Sequence, residues 1–496
     1  MPRRASTYEL SLTPQAGPTG AAGFYAQLRQ AILEGRLRPG ARLPSTRQMA
    51  LDHGVARGTV VAAFEQLLAE GYLQARQGSG TRVSEVLPDA LLAAVSGGAR
   101  EAAVQRPIAA SLSSRGATLA QTPFGSATGL RPGTPFAPHL PALQEFPVRL
   151  WATIAARQAR ALSPAVLADA DPRGQPLLRA AIADYLAGTR GVRCTGDQAI
   201  VLASVQQAVD LAARLLLEAG DGCWFEDPGY AGARAALQAA GAQVQPVPVD
   251  DDGLDVALAQ QRWPHARMAY VTPAHQAPLG MALSLPRRLA LLDWARRRGA
   301  WIFEDDYDSE YRYFDKPLPA LQSLDPQGPV LYAGCFSKTL FPGLRIAYLV
   351  VPQALVDAFA AARSVTSRYA PVLDQLVLAE FMREGHYARH LRRMRQLYAQ
   401  RRQLLVEQLE RRTAGVLEVL DNPTGLNLAC WLAAGWTEAR AVERCAQAGL
   451  RVQPLGAYAI ERARQRRAGL LLGFASLTPS MIRVASEKLG RALGSP

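Results

Sequence analysis

Residues Val330–Val350 read VLYAGCFSKTLFPGLRIAYLV, and Lys338 sits between two apolar runs, Val330–Phe336 and Leu344–Val351. Only three lysines occur in the chain, Lys316, Lys338 and Lys488, so arginine carries nearly all the other positive charge. A surface cation at this position would therefore be arginine. Burial lowers the pKa of a lysine and lets it shed its proton, which arginine cannot do. The neutral amine is the form that condenses with an aldehyde to a Schiff base. On the lysine alone, a side chain snorkelling from a core strand explains the pattern equally well.

The neighbours shift that balance. Ser337 precedes the lysine and Phe341-Pro342-Gly343-Leu344-Arg345 follows it. A hydroxyl, a glycine backbone and an arginine are the parts that grip a phosphate. The order S-K-T-L-F-P-G-L-R-I resembles the cofactor-lysine segment of fold-type I aminotransferases, in the version found in MocR-type regulators of the GntR family. The resemblance implies pyridoxal 5'-phosphate as cofactor, a Schiff base on Lys338, and Ser337 and Arg345 at the phosphate.

With 496 residues the chain exceeds one ordinary core, so two or more domains are expected. No apolar run is long enough for a membrane span, and the N-terminus MPRRASTYELSLTPQ lacks the apolar core of a signal peptide, so a cytoplasmic protein is expected. Cys194, Cys223, Cys335, Cys430 and Cys445 are scattered, which reads as free thiols in a reducing compartment. His and Cys spacing suggests no metal site. A net charge of +13 suits a polyanionic partner without naming it, and genome composition alone explains an Arg-rich chain as well.

Within residues 1–83, Phe24–Glu34 has helical periodicity, with Phe24, Leu28, Ile32 and Leu33 placed on one side and Gly35 as terminator. Ser45 and Gln48 have capping-box spacing at the head of a second helix. A third helix is expected from Arg57 to Glu70, burying Val60, Val61, Phe64 and Leu67 or Leu68. Two short strands, Gly71–Arg76 and Thr81–Val83, around Gln77-Gly78-Ser79-Gly80 make a wing. This order is that of a winged helix-turn-helix, whose second motif helix enters the major groove. It closely resembles the GntR head, which implies double-stranded DNA contacts by Arg47, Arg57, Thr59, Gln77 and Gly78. One departure is Ala56, where the family usually has a serine before the recognition helix. Loss of a serine N-cap costs about 1 kcal/mol.

Residues 84–110 shift to Ala, Ser, Gly and Pro and read as an extended, mobile linker, with a helical turn at Leu91–Val95. Residues 122–147 resemble the entry strand of the MocR aminotransferase domain, and the boundary falls near residue 110. Alternating strand and helix patterns then argue an α/β domain over residues 111–496.

Four motifs there carry chemistry. Strand Ala199–Ala203 feeds a helix from Ser204 to Ala219, whose first N–H groups suit a phosphate, so Ser204, Val205 and Gln206 are candidates. Glu226-Asp227-Pro228-Gly229-Tyr230 resembles the family's EDPGY turn, which implies that Tyr230 stacks on the cofactor ring. Thr272-Pro273-Ala274-His275-Gln276-Ala277-Pro278-Leu279-Gly280 resembles the TPxHQxPxG loop. Ala277 replaces the asparagine that many aminotransferases aim at the ring oxygen, and His275 or Gln276 is left to do similar work. In Trp301–Tyr307, strand alternation puts Asp305 and Tyr307 on one face. By spacing and resemblance, Asp305 suits the pyridine nitrogen and Tyr307 the ring hydroxyl.

Two departures concern the ligand. Many aminotransferases carry an arginine clamp for the substrate carboxylate in a C-terminal strand. The matching stretch Gly469-Leu470-Leu471-Leu472-Gly473-Phe474-Ala475 has leucine there. GABA-responsive members have an arginine two residues after the turn tyrosine, where Gly232 stands, so GABA is disfavoured. Arg234, Arg368 and Arg451 are replacement clamps without a motif. The reading is a pyridoxal phosphate-dependent transcription regulator, a homodimer by resemblance, sensing an amine, an amino acid or the cofactor itself. The alternatives are an active aminotransferase carrying a DNA-binding head, and a repressor whose large domain is only a dimerisation scaffold.

Overall fold

The structure is a computed structural model that describes residues 20–76, 80–88, 112–120, 133–313, 318–326, 328–420, 422–461 and 467–494. The chain divides into two compact units, Met1–Ser111 and Leu112–Pro496.

In the first unit, α1 (Ala21–Leu33) buries Phe24, Leu28, Ala31 and Ile32. Leu33, expected on that face, is exposed, because one further residue turns the side chain about 100° round the helix. Gly35 follows with φ 73°, a left-handed terminator. Ser45 caps α2 (Thr46–Asp52) by accepting from the Gln48 N–H at 3.2 Å. The expected capping box is half made, since the Gln48 side chain donates forward to Asp52 Oδ1 at 2.7 Å. Helix α3 (Arg57–Ala69) buries Val60, Ala63, Phe64 and Leu67, and its N-cap Ala56 makes no side-chain bond. Strands β1 (Leu73–Arg76) and β2 (Gly80–Val83) pair antiparallel from Leu73↔Val83 to Arg76↔Gly80. Ser84 is buried and donates to the Gly71 carbonyl, so packing continues past the second strand. Three helices and a wing make the winged helix-turn-helix. The wing tip with Gln77 and Gly78, and the turn expected at Leu91–Val95, lie outside the described residues.

The second unit is α/β. Its eight-stranded sheet runs in the order β3 (Ala199–Leu202), β10 (Ala347–Val350), β9 (Val330–Cys335), β8 (Trp301–Asp306), β7 (Met268–Val271), β4 (Gly222–Asp227), β5 (Gln243–Asp250) and β6 (Gly253–Leu254). The five strands from β9 to β5 are parallel, and β10 is antiparallel to both its neighbours. Parallel neighbours need crossovers, and helices such as Ala231–Ala240 and Leu285–Arg298 supply them. The core strands read apolar because both faces are covered. Phe225, Tyr270 and Phe303 stack across β4, β7 and β8 with centroids 5.0 and 5.7 Å apart. The four motifs lie in or at the ends of β3, β4, β7 and β8, and strand ends are where such sheets place ligands.

A second antiparallel sheet has the order β11 (Leu417–Val419), β12 (Asn427–Leu432), β14 (Gly469–Gly473) and β13 (Gln453–Pro454). The segment Gly133–His139 lies along it, with Phe136 bridged to Gly473. A Cβ at Gly473 would stand 2.0 Å from the Ala137 carbonyl oxygen, so only glycine lets this segment in. Phe136 and His139 take positive φ, 61° and 67°, which is uncommon for side-chain-bearing residues. The helix predicted from Ser204 to Ala219 runs Val205–Leu216, with Leu217 already extended. Among the described residues no helix is long and apolar enough to cross a membrane.

Candidate functional site

Lys338 follows β9, and its Nζ donates to the His139 carbonyl at 3.1 Å. Burial lowers its pKa, opposed in part by the nearby Cys335, Asp308 and Asp305. The amine is therefore easier to deprotonate than a surface lysine.

At the end of β8 three consecutive acids are buried, not solvated. Strand alternation separates them. Glu304 accepts from the Leu321 and Gln322 N–H groups at 2.7 and 2.9 Å and so holds a helix start. Asp306 pairs with Arg190 at 2.7 Å and with the Tyr332 hydroxyl at 2.5 Å. Asp305 lies on the opposite face of the strand. Its Oδ2 accepts from the Tyr270 hydroxyl at 2.5 Å, while Oδ1 is buried with no partner among the described residues. Burial raises its pKa to about 7, with the charges of Asp306, Glu226 and Asp308 adding to the rise. An unpartnered buried carboxylate oxygen is costly. A protonated ring nitrogen would supply both the missing donor and the missing charge.

Tyr307, the next residue on that face, has its hydroxyl 3.1 Å from His275 Nδ1. The same nitrogen lies 2.6 Å from Asp308 Oδ1. Gln276, offered as the alternative to His275 for the ring oxygen, is bonded within the protein. Its amide nitrogen donates to the Pro228 and Ala277 carbonyls at 2.7 and 2.8 Å, and its oxygen accepts from the Leu279 N–H at 3.1 Å. That side chain is spent on bracing the loop. Tyr230 ends the neighbouring turn, and burial followed by the Asp305 charge raises its pKa. Its ring lies against Gly232, where an added Cβ would come within 2.5 Å of it, so no side chain fits at 232 without moving the tyrosine.

Ser204 caps the helix Val205–Leu216, and its Oγ accepts from the Gln207 N–H at 3.1 Å. Gln207 returns a bond from the Ala203 N–H at 2.8 Å. The Ala208 N–H takes the Ser204 carbonyl. The N–H groups of Val205 and Gln206 have no protein acceptor among the described residues, which leaves a small anion cradle. Ser337 is half-buried. Arg345 is exposed with φ 51° and close enough to Tyr230 for its charge to act there.

Sequence reasoning missed the opposite wall. His139 Nε2 lies 2.8 Å from the Tyr458 hydroxyl, which donates to Gln453 at 2.8 Å. Asn427 holds His139 twice, by Oδ1 to its N–H at 2.8 Å and by Nδ2 to Nδ1 at 3.1 Å. Burial, then the charges of Lys338 and His275, push the His139 pKa down to about 3, so it is neutral. Leu471 stands at the clamp position, packed with Leu279, Ala429, Leu455 and Tyr458. Arg368 and Arg451 are exposed, and Arg368 lies 3.5 Å from Asp169. Leu471 lies in the strand already read for its missing arginine and His139 in the stretch that resembles the entry strand, while Asn427 and Tyr458 sit in no motif.

On the head, Arg47 and Arg57 are exposed at the starts of α2 and α3, and Thr59 is half-buried.

Residues 146–489 match the aminotransferase class I and II family, and residues 21–83 match the gntR family of bacterial regulatory proteins. The "Probable rhizopine catabolism regulatory protein MocR" of Rhizobium meliloti is 42% identical over 95% of this chain and 92% of its own length. The chain belongs to the MocR-type regulators. The HTH-type transcriptional regulator TauR of Rhodobacter capsulatus has the same span, with 35% identity over 96% of this chain and 98% of its own. Among solved structures, the α-aminoadipate aminotransferase LysN of Thermus thermophilus, complexed with N-(5'-phosphopyridoxyl)-L-leucine, superposes with a TM-score of 0.66 at 28% identity. It covers 72% of this chain and 91% of that one. As a MocR-type regulator the protein binds DNA through its head, and its cofactor is pyridoxal phosphate. Asp305 Oδ1, the free N–H pair of Val205 and Gln206, and the lowered pKa of Lys338 fit that group.

Proposed function

We propose that the large domain holds pyridoxal phosphate on Lys338 and reports a bound amine or amino acid to the DNA-binding head. Asp305 takes the pyridine nitrogen, Tyr307 the ring hydroxyl, and Tyr230 the ring face. Val205, Gln206, Ser204, Ser337 and Arg345 take the phosphate. Bound here, the cofactor supplies an aldehyde that condenses with primary amines and a ring that withdraws electrons. The observation that carries this reading is Lys338, an amine of lowered pKa close enough to the half-satisfied Asp305 for its charge to act there.

The chain's own residues do the rest. Asp305 holds a proton on the ring nitrogen, and the His139 carbonyl holds the lysine amine in place. The wall of His139, Tyr458, Asn427 and Leu471 presents neutral and apolar groups to the ligand. That favours an amine whose recognition does not depend on a carboxylate clamp. A ligand that changes which groups Lys338 and His139 engage changes the domain, and coupling to the operator follows by linkage. The protein works as a homodimer in the cytoplasm, each head contacting double-stranded DNA through Arg47, Arg57 and Thr59.

The test is spectroscopic. Purified protein is yellow, borohydride fixes the cofactor on Lys338, and Lys338→Ala abolishes that link while leaving the fold. A panel of amines, with rhizopine included because of the Rhizobium relative's name, is followed by visible spectrum and operator affinity together. Reduced pyridoxyl on Lys316 or Lys488, or a spectral response with no change in DNA affinity for any ligand, overturns the reading.

A further inference from the structure

His275 Nδ1 faces two oxygens, Asp308 Oδ1 at 2.6 Å and the Tyr307 hydroxyl at 3.1 Å. A ring nitrogen has one in-plane position. It either carries a hydrogen and donates, or offers a lone pair and accepts. Asp308 is 1% exposed, and as a carboxylate it only accepts. The shorter contact therefore requires a hydrogen on Nδ1, and Nδ1 cannot then accept from Tyr307. The Tyr307 hydroxyl hydrogen is turned away from the histidine. The arrangement has no slack, since a Cβ at Gly425 would stand 2.3 Å from His275 Cε1 and 2.7 Å from Asp308 Oδ2. The two rings lie nearly parallel, 25° apart with centroids at 5.5 Å. The other ionisable groups acting on Tyr307 are Asp305, Tyr458 and Glu226.

We infer that Asp308 is a positioning residue: by holding His275 as the Nδ1–H form, it forces Tyr307 to donate its hydroxyl hydrogen into the cleft, onto the phenolic oxygen of the cofactor. This rests on the reading of the cleft as the pyridoxal phosphate site. The device matters here because Ala277 supplies no second donor to that oxygen, so Tyr307 is the one named donor. A donor on the phenolic oxygen competes for it with the proton on Lys338 Nζ and makes that proton easier to lose. Without the donor, the proton is held to higher pH.

The readout is the pH midpoint of the visible band of the intact protein with its cofactor. Tyr307→Phe removes the donor and raises the midpoint by about one pH unit. Asp308→Ala frees Nδ1 to accept from Tyr307 and raises the midpoint, by less than Tyr307→Phe because the Asp308 charge that favours protonated Lys338 is lost as well. Asp308→Asn, whose amide oxygen still accepts from Nδ1–H, gives no rise, and its midpoint lies at or below wild type because the charge near Lys338 is gone. In a His275→Phe background Tyr307 has no nitrogen to turn to, so adding Asp308→Ala gives no rise, and loss of the Asp308 charge near Lys338 moves the midpoint only downward. A wild-type midpoint in Asp308→Ala, or an equal shift with and without His275, overturns the inference. Solid-state NMR of protein labelled with 15N-histidine reads the tautomer with no substitution and no cofactor. A protonated Nδ1 at His275 supports the inference, and a bare one overturns it. Absence of any band fixed on Lys338 in the wild type sinks the cofactor reading instead, which the tautomer measurement keeps distinct.

Discussion

At the scale of single residues, the buried acids carry the most informative energetics. Burial raises Glu226, Glu304 and Asp305 each to about 7. Glu226 accepts from the Thr272 N–H and hydroxyl, and Glu304 from two N–H groups, so both are compensated. Asp305 has one oxygen unpartnered. An aspartate near 7 when folded and about 3.9 when unfolded binds more protons folded than unfolded across that window. Its contribution to stability is therefore lost as pH rises from about 4 to 7. In protein stripped of cofactor, Asp305→Asn should raise stability at pH 7.5 by roughly 2 kcal/mol and much less at pH 4.5, read from urea melts. The same substitution should weaken cofactor binding, since the amide cannot pair with a protonated ring. An apoprotein destabilised by Asp305→Asn at pH 7.5 would mean that the carboxylate is satisfied by groups within the protein. The alternation of β8 set Asp305 apart from Glu304 and Asp306 in the sequence, and their bonding partners differ accordingly. His139, Tyr458 and Asp308 were not legible there, because their roles come from contacts between distant segments, and a polar residue in a loop has no period to betray it.

At the scale of elements, hydrophobic spacing was enough for most helices and strands, and capping chemistry was where reading and structure parted. Spacing placed α3 within a residue and left Leu67 or Leu68 open; the helix buries Leu67. Ser45 caps α2 as its spacing suggests, yet the Gln48 side chain bonds forward to Asp52, a competition that a motif cannot rank. The second glutamine after Ser204, Gln207, closes a reciprocal cap, so that pair is a helix start as much as a ligand feature. Helix α3 begins without any side-chain cap at Ala56, and Gly58 has open space around its Cβ position. Ala56→Ser should stabilise that first turn by about 1 kcal/mol, seen as roughly fivefold slower amide exchange at its start. Arg57→Ala in the same turn should lower the slope of log affinity against log salt by about one unit on operator DNA. Unchanged slopes for both Arg57→Ala and Arg47→Ala would remove these two arginines from the DNA contact.

At the scale of the molecule, two units that each follow a known plan are joined in one chain, and the question left to chemistry is whether the large one turns over. On the proposed reading, the groups that capture an amine are the amine of lowered pKa at Lys338, Asp305 at the ring nitrogen and Tyr307 as donor. Proton transfer at the ligand carbon requires more. The C–H bond has to stand perpendicular to the ring, and in many aminotransferases an arginine on the ligand carboxylate holds it there. Here that strand carries Leu471, buried against Leu279, Leu455 and Tyr458, so the wall gives no charge to pull on. His139 on the same wall is neutral and already bonded to Asn427 and Tyr458. Orientation contributes up to about 7 kcal/mol to such barriers. The expected outcome is that a cognate amine shifts the spectrum and the operator affinity at the same concentration. Keto-acid-dependent turnover should stay far below the roughly 10 per second typical of enzymes. Leu471→Arg should not raise operator response, and any gain in turnover with amino acids would come at the cost of the apolar packing it replaces. The three readouts belong in one titration, because only their pattern separates the possibilities. A ligand giving rapid multiple turnover while operator affinity stays flat would make this an enzyme with a DNA-binding head.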